Sequence, residues 1–423
     1  MIIEVRAKNI FIFQNQVVFS LRADMRNKKF INNVHTENKY NVLKTGVIYG
    51  PNNVGKTRLI QCISVLKNII LNNKSQECFV NLFSKNPVYE LGISFLSNGN
   101  EYSYDIKYDE KIKEYVYEKF SEIIVDEYGN RKEDNWLLID KEENKCICKD
   151  VEFESMIHLV AKNNVTMYVI NTEKFEHINK MKHILTAFAN KIDIVDMNNI
   201  PLENTINVLK NKNELQKKVV SFIRNADLYM DNYEYVENTK IQFDSNKGGP
   251  QEKALNIPEQ IMDQIRLVST YKGVKVPSII FDSTGTKKIA ALASYVIESL
   301  EEGRILIVDE LDSSIHFTLT RAIVALFNNE LNDNSQLIFT THDISLMDVK
   351  RMFRKEQIWF ASKDEDGVYL YSLATFTSRN GIRDTSDIIE KYRKGVFGAL
   401  PSPELFKSLL EIHKDKKANG NVQ

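Results

Sequence analysis

"GVIYGPNNVGKTRLIQCI", residues 46–63, is the stretch on which the fold turns. An apolar run enters a turn that holds Gly50, Pro51 and Gly55. Beyond Lys56, apolar side chains recur at three- and four-residue spacing. The order is strand, glycine-rich turn, amphipathic helix. Gly50-Pro51-Asn52-Asn53-Val54-Gly55-Lys56-Thr57 meets G-x-x-x-x-G-K-[ST] at every position. Its glycines let successive backbone N–H groups turn onto phosphate oxygens, and the helix adds its positive end. Lys56 is expected to reach the β- and γ-phosphates of ATP. Thr57 is expected to offer its hydroxyl to Mg²⁺.

A phosphate cradle names no reaction by itself. The second informative stretch is "RILIVDELDSS", where Ile305 to Val308 run into Asp309 and Glu310. An unbroken apolar run of this kind belongs in a buried parallel sheet. Its carboxyl end is where ligands bind in open α/β sheets. Asp309 is expected to hold Mg²⁺ and Glu310 to polarise the attacking water. A strand that merely ends in acidic residues is the plainer alternative, and the Lys56 motif argues against it. The next strand, "QLIFTTHD", brings His342 to the place of a γ-phosphate sensor.

Charge and composition narrow the classes. The 423 residues carry a formal net charge of -1, with 43% hydrophobic and 27% charged side chains, so a core and a soluble surface both fit. No strongly basic surface is written into the whole chain, although a local patch is compatible with it. "MIIEVRAKNIFIF" alternates like a strand and lacks the layout of a signal peptide. No run of about 18 apolar residues is present to span a bilayer. Cys62, Cys78, Cys146 and Cys148 form no disulfide framework and fit a cytoplasmic protein. Cys146 and Cys148 read as strand residues on one face, since a metal site would need two more ligands nearby.

Along the chain, residues 1–22 and 42–50 read as strands and 57–71 as a helix. "YELGISFLSNGNEYSYDIKYD" and "KIKEYVYEKFSEIIV" read as an antiparallel meander turning at "SNGN". Residues 130–165 are charged and give no clear pattern. "TMYVINTEKF" reads as a strand, 201–229 as helical, "LYMDNYEYVENTKIQF" as strand and "DSNKGGPQEK" as a loop. A helix over 284–302 precedes the acidic strand. A hairpin at "EQIWFASKDEDGVYLYSL" and a terminal helix come after it. The expected organisation is an α/β sheet built from an N-terminal lobe (1–130) and a C-terminal lobe (266–423), separated by a mixed, largely helical insertion (131–265).

In this order the motifs resemble the ABC-type ATPases. "FDSTGTKKIAALASYVIE" carries the resemblance, because Ser283, Thr284 and Gly285 match the S-x-G core of the signature found there. A serine hydroxyl and backbone amides at a helix start form a second anion site, although "STGT" read alone is an ordinary helix N-cap. The resemblance implies that this signature serves the γ-phosphate held by an opposing subunit, so that two chains sandwich two ATPs. It places the D-loop at Leu311-Asp312-Ser313 and the switch histidine at His342. More narrowly, the chain resembles the compact bacterial ATPases grouped with RloA and AbiLi, relatives of the OLD family. "KNIFIF", the Tyr102–Tyr104 hairpin with "YVYEKF", "DSTGTKK", "EQIWFASKDEDGVYLYSL" and "YRKGVFGALP" (392–401) carry this. That resemblance implies a homodimer or larger homo-oligomer in an abortive-infection locus. It also implies a separately encoded effector, in some relatives a Toprim-like nuclease, with a phage protein as a candidate trigger.

The sequence departs from the ABC pattern in one respect. No glutamine lies between Gln76 and Gln216 to sense Mg²⁺, and Asn171 is the substitute the sequence offers. The stretch between Thr57 and Ser283 is too long for a transporter's helical lobe, and too short and strand-rich for a coiled-coil arm. No nuclease motif or metal-spaced His/Cys cluster is legible, so no nuclease activity of its own is expected. The leading reading is an ATP-hydrolysing sensor and scaffold for phage defence. The alternative is a DNA-repair or DNA-clamping ATPase like RecF or the SMC heads, for which "RADMRNKKF" and "KNKNELQKK" could touch phosphate backbone.

Overall fold

Three five-residue strands with every residue buried form the centre: β5 (Thr45–Tyr49), β15 (Ile305–Asp309) and β16 (Gln336–Thr340). Burial on both faces is the signature of a parallel sheet covered on two sides. In the computed structural model these strands belong to a six-stranded sheet. Its order is β11 (Ile192–Asp196), β15, β16, β5, β17 (Ile358–Asp364) and β18 (Gly367–Ser372). The first five run parallel and β18 returns antiparallel. The structure describes residues 1–73, 78–154, 163–168, 172–211, 213–226, 229–237, 258–365, 367–383, 386–401 and 405–410.

Strand alternation divides the core between the two faces. Ile305 and Ile307 face one cluster, which holds Leu59, Ile63 and Leu66 of α1 (Lys56–Asn72) and Leu185 and Phe188 of α3 (Glu176–Asn190). Leu306 and Val308 face the other. There they pack with Leu292 and Val296 of α8 (Thr284–Glu302), Val324 and Phe327 of α9 (Phe317–Phe327) and Tyr392 of α10 (Ile388–Arg393). The segment 392–401 closes this second cluster. Tyr392 stacks on Phe360, its hydroxyl donates to the Ala399 carbonyl, and it lies 6.3 Å from the Tyr49 ring. It thus braces the strand that feeds the phosphate loop.

The first cluster is shared with an antiparallel sheet of seven strands: β1 (Ile2–Lys8), β2 (Val17–Ser20), β6 (Val88–Ser97), β7 (Asn100–Asp109), β8 (Glu114–Val125), β9 (Arg131–Asp140) and β10 (Lys145–Cys148). Gln336 joins the two sheets. Its amide donates to the carbonyls of Ile2 and Leu43 and accepts from the Ile2 N–H at 2.7 Å, so its buried polar atoms are paired. A two-stranded ribbon, β3 (Val34–Glu37) and β4 (Tyr40–Leu43), leads into β5.

The middle of the chain is not one excursion from the core. β9 and β10 extend the meander, which gives residues 131–148 the clear structure their charge hid. After the short α2 (Val151–Glu154), α3 leads into β11, and β11 returns to the central sheet beside β15. The bidentate pair of Arg304 with Asp193 fixes that register. Beyond β11 the chain builds a satellite unit: α4 (Glu203–Asn211), α5 (Glu214–Asn225), α6 (Glu259–Ile265), a three-stranded sheet of β12 (Asn232–Tyr235), β13 (Leu267–Tyr271) and β14 (Val274–Pro277), and α7 (Ser278–Phe281). It packs on α8 through Ala290 and Ala293.

One further sequence expectation changes. Within "TMYVINTEKF", the described residues form 3-10 turns at Thr166–Tyr168 and Thr172–Lys174 in place of the expected strand. Thr166 there is held by the Glu118 carboxylate through its N–H and hydroxyl rather than by a sheet ladder. "DSNKGGPQEK" and Asn171 lie outside the described residues. Among the described residues, no helix is long and apolar enough to cross a membrane.

Candidate functional site

The 50–57 loop joins β5 to α1 at the carboxyl end of the sheet, and its tight path explains its glycines. A Cβ on Gly50 would stand 2.3 Å from the Ala361 carbonyl oxygen. Gly55, at φ 98°, lies under Ile12 and Phe13, so the "NIFIF" segment roofs the loop. The Arg58 guanidinium lies 5.3 Å from the Phe11 ring, which ties that roof to the helix. Lys56 is buried, and its ammonium donates to the carbonyls of Gly50 (2.7 Å) and Pro51 (2.8 Å). Burial lowers its pKa, and the nearby carboxylates Glu310, Asp309 and Asp312 oppose that shift.

Asp309 is the hub of the acidic side. One carboxylate oxygen accepts from the Thr57 hydroxyl at 2.6 Å, and the other accepts from the Thr340 hydroxyl. Thr340 Oγ1 in turn accepts the Glu310 N–H at 2.8 Å. The start of α1 and the ends of β15 and β16 thereby converge on one carboxylate. Glu310 sits at φ 55°, a left-handed conformation unfavourable for a side-chain-bearing residue and common where geometry is stored for function. A hydroxyl facing a carboxylate beside a phosphate loop is an oxygen donor set suited to Mg²⁺, which takes one or two protein ligands plus phosphate oxygens and water. Among the described residues no cluster of three or more His, Cys, Asp or Glu forms a self-contained metal cage. Bound Mg²⁺ would neutralise charge on the phosphates, held by Thr57 and Asp309.

The residue that sequence reasoning missed is Asn198. It lies just past β11, and its Nδ2 donates to Glu310 Oε2 at 2.9 Å while its Oδ1 accepts from the Ser313 hydroxyl at 2.8 Å. It stands at the carboxyl end of β11, the strand beside β15. The signal available was the short apolar run "IDIVD" just before "MNN", a buried-strand pattern ending in polar residues.

The remaining expected residues lie in the D-loop, after β16 and at the start of α8. Asp312 accepts the backbone N–H of His342 at 3.2 and 3.3 Å, which joins the 311–313 turn to the segment just past β16, and His342 is exposed. Ser283 caps α8, its hydroxyl accepting the Thr286 N–H at 3.1 Å. Asp282 pins the approach to this cap by accepting from Ser269, Ser278 and Tyr271 at 2.6–2.7 Å. A Cβ on Gly285 would meet the Ser314 carbonyl oxygen at 2.7 Å, and Lys288 donates to the Ser313 hydroxyl at 3.0 Å. Helix α8 is therefore fastened to the 313–314 turn of its own chain. Among the described residues, no hydrogen bond joins Ser283, Thr284 or Gly285 to the 50–57 loop.

A phosphate loop at the carboxyl end of a parallel sheet, an acidic strand beside it and an antiparallel sheet packed on α1 define a P-loop ATPase head of the ABC type. Residues 47–348 match the family described as "AAA domain, putative AbiEii toxin, Type IV TA system", and the chain belongs to that family. No curated protein matches it. Among solved structures it is similar to an SMC head bound to the C-winged helix domain of ScpA, at 13% identity, 90% of this chain, 99% of that one and a TM-score of 0.48. It is also similar to the SMC head domain from Thermotoga maritima (11%, 88% and 98%, TM-score 0.40). A third is the Smc head with an extended coiled coil bound to the C-terminal domain of ScpA, derived from Pyrococcus furiosus (14%, 93% and 99%, TM-score 0.41).

Proposed function

We propose that the chain hydrolyses ATP. The backbone of residues 50–57 and Lys56 hold the phosphates, Thr57 and Asp309 hold Mg²⁺, and Glu310 takes the proton of the attacking water. His342 stands at the γ-phosphate end. The observation that carries this reading is the convergence of Thr57, Thr340 and Asp309, with Glu310 positioned by Thr340 and Asn198.

Two copies would complete the reaction site, each offering its Ser283-capped helix to the other's nucleotide. In support, Ile280 and Phe281, just before the signature, are 73% and 63% exposed, an apolar edge suited to burial between copies. The closed pair gains γ-phosphate contacts that vanish on hydrolysis, which supplies two states. We read those states as control of a separately encoded effector in phage defence, with a Toprim-like nuclease as the effector class and a phage protein as trigger. The matched family's description as an AbiEii toxin of type IV toxin–antitoxin systems supports that setting.

The test is ATP turnover by the purified chain, followed by affinity capture of the protein encoded beside it with and without ATP. Turnover lost in both Lys56→Ala and Glu310→Gln, with ATP-dependent capture, is expected. Full turnover in Glu310→Gln would overturn the assignment.

A further inference from the structure

A second charged site lies at the other end of the central sheet. Residues 24–30 (DMRNKKF) and 348–356 (DVKRMFRKE), over 300 positions apart, together carry seven Lys and Arg against three carboxylates, in a chain whose net charge is -1. They meet beside the start of the strands β5 and β17, where Gln357 bonds Thr45 and Asn33 bonds Gln357. The phosphate loop is at the opposite, carboxyl end of β5.

Arg354 builds this meeting point. It is 1% exposed, and its guanidinium donates to the carbonyls of Asp24 (2.7 Å), Lys29 (2.9 Å) and Asn27 (3.0 Å). With its carbonyls drawn inward onto one buried cation, the 24–30 loop presents Arg26, Lys28 and Lys29 to solvent. Arg26 is answered by Asp24, and Arg354 by Glu356. Lys350 and Arg351 are exposed on the facing turn, whose N–H groups are tied down by Asp348.

Two adjoining cavities open here, of about 510 and 570 Å³, and both are lined by Lys28 and Phe30. The first adds Arg26, Lys29 and Lys355, and the second adds Arg351, with Glu330 as its carboxylate. Phe30 stands where they join, in a left-handed backbone conformation at φ 47°. A run of cations with one aromatic ring between them is the pattern that follows a phosphodiester backbone and stacks a base. An acidic protein segment would use the cations but leave the ring without a role. A groove rather than a broad convex-fitting surface favours one strand over a duplex.

We propose that this groove binds the backbone of a single-stranded nucleic acid, its phosphates on Lys28, Arg351 and their neighbours and a base against Phe30. The site is separate from the nucleotide machinery and does not depend on the ATPase reading. DNA and RNA share the chemistry, and the experiment distinguishes them.

The experiment is fluorescence anisotropy of the full chain with labelled single-stranded DNA, single-stranded RNA and duplex DNA over a salt series. Binding of one or both single strands should weaken linearly in log–log salt, by about 0.7 per phosphate contacted. Lys28→Glu/Arg351→Glu should weaken binding at least tenfold and flatten that slope, with an unchanged denaturant unfolding midpoint as evidence of folding. Phe30→Ala should weaken binding at an unchanged slope. Binding by the double charge reversal equal to that of the unaltered chain, or a preference for duplex over both single strands, would overturn the proposal.

Discussion

Asn198 and Glu310, 112 residues apart in the sequence, are joined by a 2.9 Å hydrogen bond from the amide Nδ2 to the carboxylate Oε2. The contact continues through Asn198 Oδ1 to the Ser313 hydroxyl, and from Ser313 to Lys288 on the signature helix. The proposed base is thus linked, in one chain, to the helix that would serve the partner's nucleotide. Asn198→Ala should leave ATP binding intact and lower turnover about 10- to 100-fold, the scale of one positioning hydrogen bond to a charged group. Nucleotide affinity and single-turnover rate, measured separately, check this. A variant that loses affinity but keeps its rate would assign Asn198 to binding instead.

Glu310→Gln keeps the shape and removes the base. ATP binding is expected to persist while hydrolysis slows by roughly 10² to 10⁴, the range of general-base contributions. An ATP-held oligomer should then accumulate, visible as an earlier-eluting species by size exclusion with ATP and its absence without.

Sharing of the site between chains is checked by mixing two inactive variants. Lys56→Ala removes the phosphate-binding ammonium, and Ser283→Arg blocks the signature cap. In a two-chain sandwich, one of the two sites in a mixed pair has every group intact, so mixing should restore part of the turnover. No recovery, with mixed pairs shown to form, would place the whole reaction in a single chain.

Thr340→Val would strip Asp309 of one donor and leave the Glu310 N–H without its acceptor, deep between β15 and β16. The expected cost is about 1–3 kcal/mol of unfolding stability, read from denaturant midpoints. Mg²⁺-dependent turnover should fall with it, because the Asp309 carboxylate loses one of its two donors and the Glu310 backbone loses its acceptor.

The readable parts of this site were those that local chemistry dictates. Gly50 to Thr57 must be glycine-rich to pass Ala361 and Ile12, β15 must be apolar on both faces, and α8 begins at a serine cap and ends at Gly303 in a left-handed conformation. Asn198 escaped because its role comes from β11 pairing beside β15, a tertiary event that no spacing records. Asp282 and Arg354 escaped for the same reason, since a lone charged side chain carries no mark of the three groups it will bind. The strand expected from Thr166 onward misled because Glu118, on a strand far back in the chain, supplies Thr166 with hydrogen bonds that a sheet would otherwise provide.

Glu118 itself gives a pH prediction. It is buried on β8, and its carboxylate accepts from the Thr166 N–H (2.8 Å), the Thr166 hydroxyl (2.6 Å) and the Tyr104 hydroxyl (2.9 Å). Burial raises its pKa, and the donors from Thr166 and Tyr104 offset part of that shift. A carboxyl raised on folding adds stability that is fully present below its unfolded pKa, about 4.3, and is lost as pH climbs through the folded value. The Glu118 contribution should therefore decline from about pH 4 upward until its folded titration is complete. Glu118→Gln, uncharged throughout, should lack that decline, so subtracting its stability–pH curve from that of the unaltered chain should leave a difference that falls with pH. Glu118→Ala should instead cost about 1–3 kcal/mol at neutral pH, because it orphans the Thr166 and Tyr104 donors. A difference curve between the unaltered chain and Glu118→Gln that rises with pH over this window would show that the carboxylate, not the acid, is the form the fold prefers.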